Sequence, residues 1–449
     1  MGFLERAFGL STHNTTVATE ATAGATTFLT MSYIVFVQPA VLSAAGMDFG
    51  AVMLATCLSS AFASILMAFL ANYPVALAPA MGHNFFFVFS VCGAVAAGGM
   101  GFTWRQALAA VFVSGSIFLF LSLFGFREKV IAAVPESLRY GLAVGVGLLI
   151  ALLGLEWGGI VVAKPGTLVG LGDITSGPAL VCIAGTFTIA ALMVMNVRGA
   201  ILIGILASAL VSIAAGYAAF HGVVSVPPSL APTFLQLDFA GLFAHPQFWM
   251  VILIFFFLDL FDTVGTLMGV GLRAGLVDKN GKLPRAERAL AADAAGTVIG
   301  AALGTSTVTS YIESAAGVAA GGRTGLTALV TALFFILAIF FAPLAQTVGG
   351  GYQVPGGPML YPAIAPSLIV VGSLMLSLVR DIPWDDMSEA FPAYLAIIVT
   401  PLALSITEGI SVGFIAYSIL KTAKGDFFRV HPAAHVLALI FILRYVFLV

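Results

Sequence analysis

Charged residues are scarce in this sequence. Only 8% of its 449 residues are Asp, Glu, Lys or Arg, whereas 60% are hydrophobic and the mean hydropathy is +1.10. A soluble domain carries about 25% charged residues. So few charges cannot cover a water-facing surface, which excludes a soluble globular protein and predicts a polytopic membrane protein. The net charge of −2 also gives no basis for nucleic-acid binding.

Cysteines and recognisable catalytic motifs are also scarce. The cysteines Cys57, Cys92 and Cys182 lie in apolar runs without CxxC or metal-ligand spacing, so we interpret them as small buried hydrophobic residues. The sequence contains no HExxH or paired-aspartate protease motif, and the histidines offer only the weak pair His431 and His435. The polar N-terminus lacks the apolar region of a cleavable signal peptide. These absences argue against a membrane-embedded enzyme and predict no metal and no cofactor.

Apolar segments recur along the whole chain. A membrane helix needs about 20 mostly apolar residues. Clear candidates lie at 20–45, 50–71, 104–124, 138–155, 178–196, 199–219, 247–272, 324–346, 361–379, 391–406 and 408–422. Segments 75–97, 288–304 and 305–321, which are rich in small residues, bring the prediction to about 14 spans. We interpret the last stretch, 433–449, as an appended C-terminal helix that is either interfacial or membrane-embedded.

The distribution of Lys and Arg predicts the orientation. If the N-terminus is cytoplasmic, the loops after even-numbered spans should be basic. Those loops hold eleven Lys and Arg residues, against two in the other loops. The eleven are Arg127, Lys129, Arg139, Arg198, Arg273, Lys279, Lys282, Arg285, Arg288, Arg323 and Arg380. We therefore predict an integral protein of the plasma (inner) membrane, surrounded by lipid, with both termini in the cytoplasm.

The chain contains an internal repeat at an offset of 229 residues. This offset lays SYIVFVQPAVLSAAGM (32–47) over FDTVGTLMGVGLRAGL (261–276), and PAMGHNFFF (79–87) over VTSYIESAA (308–316). Seven spans per half is an odd number, so the halves must be inverted, which is typical of transporters with a midplane site between broken helices. The predicted units are a first repeat at 1–230, a second repeat at 231–425 and an appended helix at 426–449.

Four carboxylates lie inside the predicted spans 8 to 10, namely Asp259, Asp262, Asp293 and Glu313. Each costs at least about 2.5–3.5 kcal/mol at mid-bilayer, and those spans contain no Lys or Arg partner. We favour a functional role for Asp259 and Glu313. For Asp293 a structural role and a functional role are equally plausible from the sequence. Asp262 could form a hydrogen bond within its own helix. Because Asp259 and Asp262 are three residues apart, we expect them on one helix face that lines a cavity.

The segment TSTVTSYIESAAG (305–317) predicts a short strand followed by a half-helix of small residues. Glu313 stands at the junction, where backbone N–H groups are unpaired. In the repeat mate, LAPAMGHNFFF, Pro79 breaks the helix and Asn84 matches Glu313. The phenylalanines at 85–87 could stack on a flat ring or pack against lipid and core. Embedded acids with N–H donors and aromatic faces suit a planar nitrogen heterocycle, whereas the acids would repel an inorganic anion.

These residues resemble a known family. The stretches FLTMSYIVFVQPAVLSAAGM, FLDLFDTVGTLMG, AADAAGTVIGAALGTSTVTSYIESAAG and GGRTGLTAL are similar to AzgA-like purine permeases of the nucleobase–ascorbate transporter superfamily, over about residues 3–445. The resemblance implies an all-α membrane protein with about 14 spans in two inverted seven-helix repeats. Spans 1–4 and 8–11 would form a core domain, spans 5–7 and 12–14 a gate domain, and spans 3 and 10 would contain short strands.

The resemblance also implies a function and a site. It implies uptake of adenine, guanine and hypoxanthine by proton symport with an elevator-like movement of core against gate, in a possible homodimer through the gate. The expected substrate-binding residues are Glu313, Asp259, Thr30, Asn84, Phe85, Phe86, Ser310, Tyr311 and Asp262, with Asp293 and His83 in proton coupling or support. PAMGHNF departs from the PGMGLNA common in the family, with His83 and Phe85 in place of smaller or apolar residues. The alternatives are a transporter of another nucleobase or of xanthine or urate, and an anion transporter of the same 7+7 architecture.

Overall fold

The computed structural model describes residues 2–95, 99–123, 135–164, 166–277 and 283–447. The basic residues Arg127, Lys129, Lys279 and Lys282 of the orientation argument lie outside these ranges. The α-helices are α1 (Phe3–Phe8), α2 (Val17–Met31), α3 (Ile34–Ser43), α4 (Phe49–Leu66), α5 (Met81–Phe85), α6 (Trp104–Leu123), α7 (Glu136–Trp157), α8 (Gly177–Val194), α9 (Ala200–Ala214), α10 (Phe239–Ala244), α11 (Phe248–Arg273), α12 (Ala286–Leu303), α13 (Ser314–Ala319), α14 (Gly325–Ala338), α15 (Ala342–Gly349), α16 (Ala365–Met375), α17 (Met387–Leu402), α18 (Ile406–Ala423) and α19 (Pro432–Phe447). The strands are β1 (Leu77–Pro79), β2 (Val161–Lys164), β3 (Thr167–Leu171), β4 (Val308–Ser310), β5 (Tyr352–Gln353) and β6 (Met359–Leu360).

The helices follow the apolar segments of the sequence. Within the described ranges, seven helical segments are long and apolar enough to cross a membrane on their own. Several shorter apolar helices accompany them, including Ala200–Ala214 and Met387–Leu402. Every predicted span contains a helix, or a short strand followed by a half-helix. The fold is thus a helical membrane fold, and the number of complete crossings stays a prediction.

Two short strands meet where the spans of the two halves are broken. β1 and β4 pair antiparallel, with Leu77 opposite Ser310 and Pro79 opposite Val308. Each strand leads into a short helix, β1 into α5 and β4 into α13. A bilayer interior offers no water to backbone N–H and C=O groups, so non-helical backbone must find partners within the protein. The pairing of β1 with β4 supplies them, as the sequence predicted for spans 3 and 10.

The long helices form two bundles. The first bundle contains α2, α3, α4, α6, α11, α12, α13 and α14, which pack on one another and on β1 and β4. The second bundle contains α7, α8, α9, α16, α17, α18 and α19. The family resemblance assigns these helices, apart from α19, to a core and a gate domain, and that assignment stays a prediction. The boundaries of the two sequence repeats stay a prediction.

A buried acid that the sequence analysis missed joins α2 to α14. The Glu20 carboxylate is fully buried and accepts hydrogen bonds from the backbone N–H of Arg323 at 2.9 Å, and from the N–H and hydroxyl of Thr327 at 3.2 and 2.6 Å. A carboxylate at a helix N-terminus satisfies N–H groups that have no partner within the helix. The GGRTGLTAL motif therefore has a structural role at the start of α14.

The C-terminal helix α19 packs antiparallel along α18. At one end, Ser418 Oγ lies 2.7 Å from His435 Nδ1, and at the other, Arg444 donates to Glu408 at 2.5 Å. Contacts at both ends of α18 favour the membrane-embedded alternative for 433–449 over the interfacial one. An antiparallel helix of this length ends level with the start of α18. This path favours a C-terminus on the side opposite to the cytoplasmic one predicted above.

Candidate functional site

The candidate site lies where α13 begins, beside the middle of α11. Glu313 immediately precedes α13, and its side chain is half-buried. The Tyr33 hydroxyl donates a hydrogen bond of 2.7 Å to Glu313 Oε1. Tyr33 stands at the break between α2 and α3 and is 2% exposed, so it holds the carboxylate from the protein side. The Glu313 carboxylate is therefore oriented by a buried hydroxyl while part of it stays accessible.

An open face of α11 continues from Glu313. Asp262 is exposed, and it lies close enough to Glu313 for the two carboxylates to interact electrostatically. A Cβ placed on Gly265 would meet no atom within 4 Å, and one on Gly269 would meet only Ile312. A charged side chain facing lipid is strongly disfavoured. We therefore expect this face, with Asp262 and Glu313 on it, to border a water-accessible cavity.

Asp259 and Asp293 lie behind this face, in the interior of the first bundle. Both are 0% exposed. Thr297 donates to Asp259 Oδ2 at 3.1 Å, and Thr263 donates to Asp293 Oδ2 at 2.8 Å. No Lys or Arg in the described part of the chain forms an ion pair with either acid. These two carboxylates are held by hydroxyl groups, away from the open face.

The expectation that Asp259 and Asp262 share a cavity-lining face is wrong in this structure. Three residues on an α-helix turn the chain by about 300°, so the two side chains diverge by roughly 60°. That angle places Asp259 against α12 and leaves Asp262 in the opening. Of the two aspartates, Asp262 is the one that a ligand in this cavity can reach.

Asn84 is enclosed by protein partners. It is 0% exposed, its amide N–H donates to Gln38 Oε1, and its amide oxygen accepts from the Ser306 hydroxyl. The Gln38 amide in turn donates to the hydroxyls of Thr305 at 2.9 Å and Ser306 at 3.1 Å. Asn84, predicted to bind substrate, instead ties α5 to α3 and to the segment before β4.

The aromatic residues of the first half-helix are also enclosed. Phe85 is 1% exposed, and its ring centroid lies 6.1 Å from that of Trp157. Phe86 is 0% exposed and lies edge-on to Phe255 at 5.0 Å. His83 is 3% exposed, and neither ring nitrogen has a hydrogen-bond partner among the described residues. In this conformation the structure does not bring any of the three to the cavity.

The remaining predicted residues brace the site. The Thr30 hydroxyl donates to its own helix at Thr27 O, at 2.8 Å. The Ser310 hydroxyl donates to Asp293 Oδ1 at 3.1 Å, and the Tyr311 hydroxyl donates to the Pro79 carbonyl at 2.5 Å. Thr30 is half-buried at the cavity edge, whereas the other two hydroxyls position β4. Their direct contact with substrate stays a prediction.

Tyr33 and Gln38 are the site residues that the sequence analysis missed. Both lie in SYIVFVQPAVLSAAGM, which served to detect the repeat and the family resemblance but not to choose site residues. The 229-residue offset contained a usable signal, because it pairs Tyr33 with Asp262 just as it pairs Thr30 with Asp259. A polar residue opposite a membrane-embedded acid in an inverted repeat is a candidate for the same site.

The geometry defines what the site can do. It offers two accessible carboxylates in the first bundle. The open face carries no basic residue from Asp262 to Gly269, and Arg273 lies beyond it as the last residue of α11. No group of His, Cys, Asp and Glu residues that could hold a metal ion occurs in the described ranges. Such a site accepts hydrogen bonds from N–H donors and can exchange protons.

Comparison with known proteins decides the family. A model described as "Permease family" (Xan_ur_permease) matches residues 18–412. The chain belongs to this permease family. It is 45% identical to the adenine permease AdeP of Escherichia coli, across 100% of this chain and 97% of that protein. It is also 45% identical to the guanine/hypoxanthine permease PbuG of Bacillus subtilis, across 97% of each chain. The recognised family is thus confirmed, and the chain is an integral membrane transporter rather than an enzyme.

A solved structure shows a similar helical membrane architecture. The transmembrane domain of the bicarbonate transporter BicA, from a cyanobacterium, superposes with a TM-score of 0.64 at 15% identity. The similarity covers 88% of this permease and 96% of that chain. At this identity the similarity shows the architecture alone. The permease therefore shares a transporter fold with a protein whose cargo is an anion, and its own cargo has to be argued from its site.

Proposed function

We propose that the permease imports purine nucleobases, with adenine, guanine and hypoxanthine as the expected substrates. The observation that carries this proposal is the open face with Asp262 and the Tyr33-oriented Glu313. Purine rings present N–H groups along their edges, and carboxylates accept such hydrogen bonds strongly. Relatives named as adenine and guanine/hypoxanthine permeases support this substrate class.

We assign roles to the four embedded acids. Glu313 and Asp262 accept N–H bonds from the base. Asp259 and Asp293, held by hydroxyls behind the face, support the site and can exchange a proton with it. Desolvation makes a buried carboxylate harder to ionise. Proton symport follows if one acid must be protonated before the loaded site can move. Movement of the first bundle against the second would give elevator-like alternating access.

Uptake measurements test the substrate. Cells that lack their own purine permeases and express this protein should accumulate labelled adenine or guanine. Unlabelled adenine, guanine and hypoxanthine should compete, whereas uracil and nucleosides should compete weakly. Failure of every purine to be taken up would overturn the proposal. If only xanthine or urate competed, the protein would instead be a transporter of those bases with the same fold.

Energised vesicles test the coupling. A protonophore should abolish accumulation above the external concentration while leaving binding intact. Accumulation that survives the protonophore would contradict proton symport without affecting the substrate assignment.

The rival function is anion transport, which the fold of BicA permits. Two neighbouring carboxylates on the open face oppose it, since they would repel an anion. Stabilisation of the purified protein by bicarbonate or sulfate, but not by adenine, would favour this rival. A homodimer through the second bundle and a plasma-membrane location with a cytoplasmic N-terminus complete the proposal.

A further inference from the structure

The two sides of the site differ in how they are closed. The opening runs from Asp262 past Gly265 to Leu272, which is 61% exposed, towards the C-terminal end of α11. In the other direction, towards the start of α11, Met81, His83, Asn84 and Phe85 of α5 are buried, and Gly82 is partly exposed. Phe85 and Trp157, which meet there, are 1% and 7% exposed. The site is therefore open towards the end of α11 and enclosed by side chains around α5.

The seal is a contact between the two bundles. α5 packs on α3 and α11 of the first bundle, whereas α7 belongs to the second bundle. The contact is tight at Gly82, where an added Cβ would lie 2.5 Å from Val146 Cγ1. Real Cβ atoms do not approach other atoms this closely, so any larger residue at position 82 would require the Val146 side chain to shift. One turn along, the ring of Phe85 reaches Trp157.

Trp157 is fixed from behind by its own bundle. Its ring centroid lies 4.3 Å from that of Tyr361, and its carbonyl accepts the Tyr361 N–H at 2.8 Å. Because Tyr361 holds the Trp157 indole in place, the indole provides a rigid surface for the Phe85 ring to pack against. The 229-residue offset places Ser314 opposite Phe85, so the second half-helix has no equivalent bulk.

We propose that Gly82 and Phe85 on α5, seated against Val146 and Trp157 on α7, form the closed gate of the side that faces away from the present opening. The inference rests on the proposed transport function, because a transporter must expose its site to each side in turn. The Gly82–Val146 contact then has to separate once in every cycle. A purine enters or leaves on that side only after α5 slides away from α7.

A reversible cross-link tests this gate. The built Cβ of Gly82 lies 3.7 Å from Val146 Cβ, within the range of about 3.5–4.5 Å that a disulfide needs. The variant Gly82→Cys/Val146→Cys is made in a protein whose Cys57, Cys92 and Cys182 are replaced by Ser. Oxidation should form the bond and reduce purine uptake at least about 10-fold, and a reductant should restore uptake.

A matched pair inside one bundle is the control. The built Cβ of Gly204 lies 3.4 Å from Ile189 Cβ, with both residues in the second bundle. Cross-linking Gly204→Cys to Ile189→Cys should leave uptake unchanged, because no movement between bundles is restrained. Full uptake by the oxidised Gly82/Val146 pair would overturn the gate, and so would failure of that pair to cross-link.

An accessibility measurement separates the gate from the substrate assignment. Gly265→Cys, in the same cysteine-replaced background, faces open space. The Gly82/Val146 disulfide is formed first, and the protein is then treated with a membrane-impermeant maleimide, which reacts with free thiols. Position 265 should be labelled from one side of the membrane only. Labelling from both sides would overturn the gate. If no purine is transported but labelling is one-sided, the proposed substrate fails and the gate stands.

Discussion

The two half-helices occupy equivalent positions in the two halves of the chain and are built from opposite kinds of residue. In α5 and its continuation, phenylalanines stand at 85, 86 and 87, whereas the matched positions 314–316 of α13 are Ser, Ala and Ala. The first half-helix is buried against the second bundle, and the second borders the opening. The two broken helices therefore have different roles: α5 closes one side of the site, and α13 carries the ligand-binding carboxylate on the other.

The comparison extends to the residues at the matched positions 84 and 313. Asn84 is neutral, 0% exposed and bonded to Gln38 and Ser306. Glu313 is acidic, half-buried and bonded to Tyr33. An inverted repeat thus conserves position in the fold without conserving role. We expect substitutions at the two positions to fail in different ways.

Removing the charge of the second half-helix should have the largest effect. Glu313→Gln should lower purine uptake at low substrate concentration at least about 10-fold, because a hydrogen bond to a charged acceptor contributes roughly 1.5–3 kcal/mol. The amount of protein in the membrane should not change. Uptake of labelled adenine and guanine, normalised to the protein detected in membranes, measures this.

The matched control for that variant is Glu136→Gln. Glu136 lies at the start of α7 with its side chain 76% exposed, far from the two half-helices. This variant should transport normally. Equal uptake by Glu313→Gln and Glu136→Gln would remove Glu313 from the site.

Loss of the hydroxyl that orients Glu313 should have a smaller effect. Tyr33→Phe removes the 2.7 Å hydrogen bond while keeping the aromatic ring. We expect KM for the purine to rise by roughly 10-fold with little change in kcat, since such bonds contribute about 1.5–3 kcal/mol. Initial uptake rates over a range of concentrations separate the two constants. An unchanged KM would mean that the orientation of Glu313 does not matter for binding.

Opening the Asn84 cluster should destabilise the protein more than it weakens binding. Asn84→Ala leaves Gln38 and Ser306 without their partner, and an unsatisfied buried polar group costs about 1–3 kcal/mol. The melting temperature in detergent should fall, whereas KM should rise less than in Tyr33→Phe. The reverse result, a large rise in KM at constant stability, would restore Asn84 as a substrate-binding residue.

The smallest functional effect is expected at the end of the chain. A reporter protein fused after Val449 should leave uptake unaltered and should lie on the side where α18 begins, because α19 runs antiparallel to α18. Reporters that work only in the cytoplasm or only outside it, fused at either terminus, measure the side. A C-terminal reporter in the cytoplasm would show that α19 does not complete a crossing.

The sequence was sufficient to predict residues that are unusual inside an apolar membrane span. A lone carboxylate among small residues, as at Glu313, and a proline-broken repeat mate containing Asn84 both stand out in an apolar chain. The short strand of span 10 followed from its residue pattern. The strand of span 3 and the membership of the two bundles were implied by the family resemblance alone. Family resemblance supplied the transporter class.

What the sequence could not supply depends on side-chain direction and on partners distant in the chain. The 60° or so between Asp259 and Asp262 decides which of them meets the cavity, and spacing alone did not resolve it. Tyr33 and Gln38 are uncharged, and their partners lie about 280 and 46 positions away in the chain. Only the repeat offset gave a signal, and it did so for Tyr33 alone. Glu20 was overlooked because it opens a span, where an acid is ordinarily solvated.

Equilibrium binding to the purified protein tests the central claim most directly. Adenine and guanine should bind the wild-type protein, and Glu313→Gln should bind them at least about 10-fold more weakly, as the loss of a charge-assisted hydrogen bond requires. Glu136→Gln should retain the wild-type affinity. Equal purine affinity in wild type and Glu313→Gln, or binding of bicarbonate in place of purines, would contradict the account.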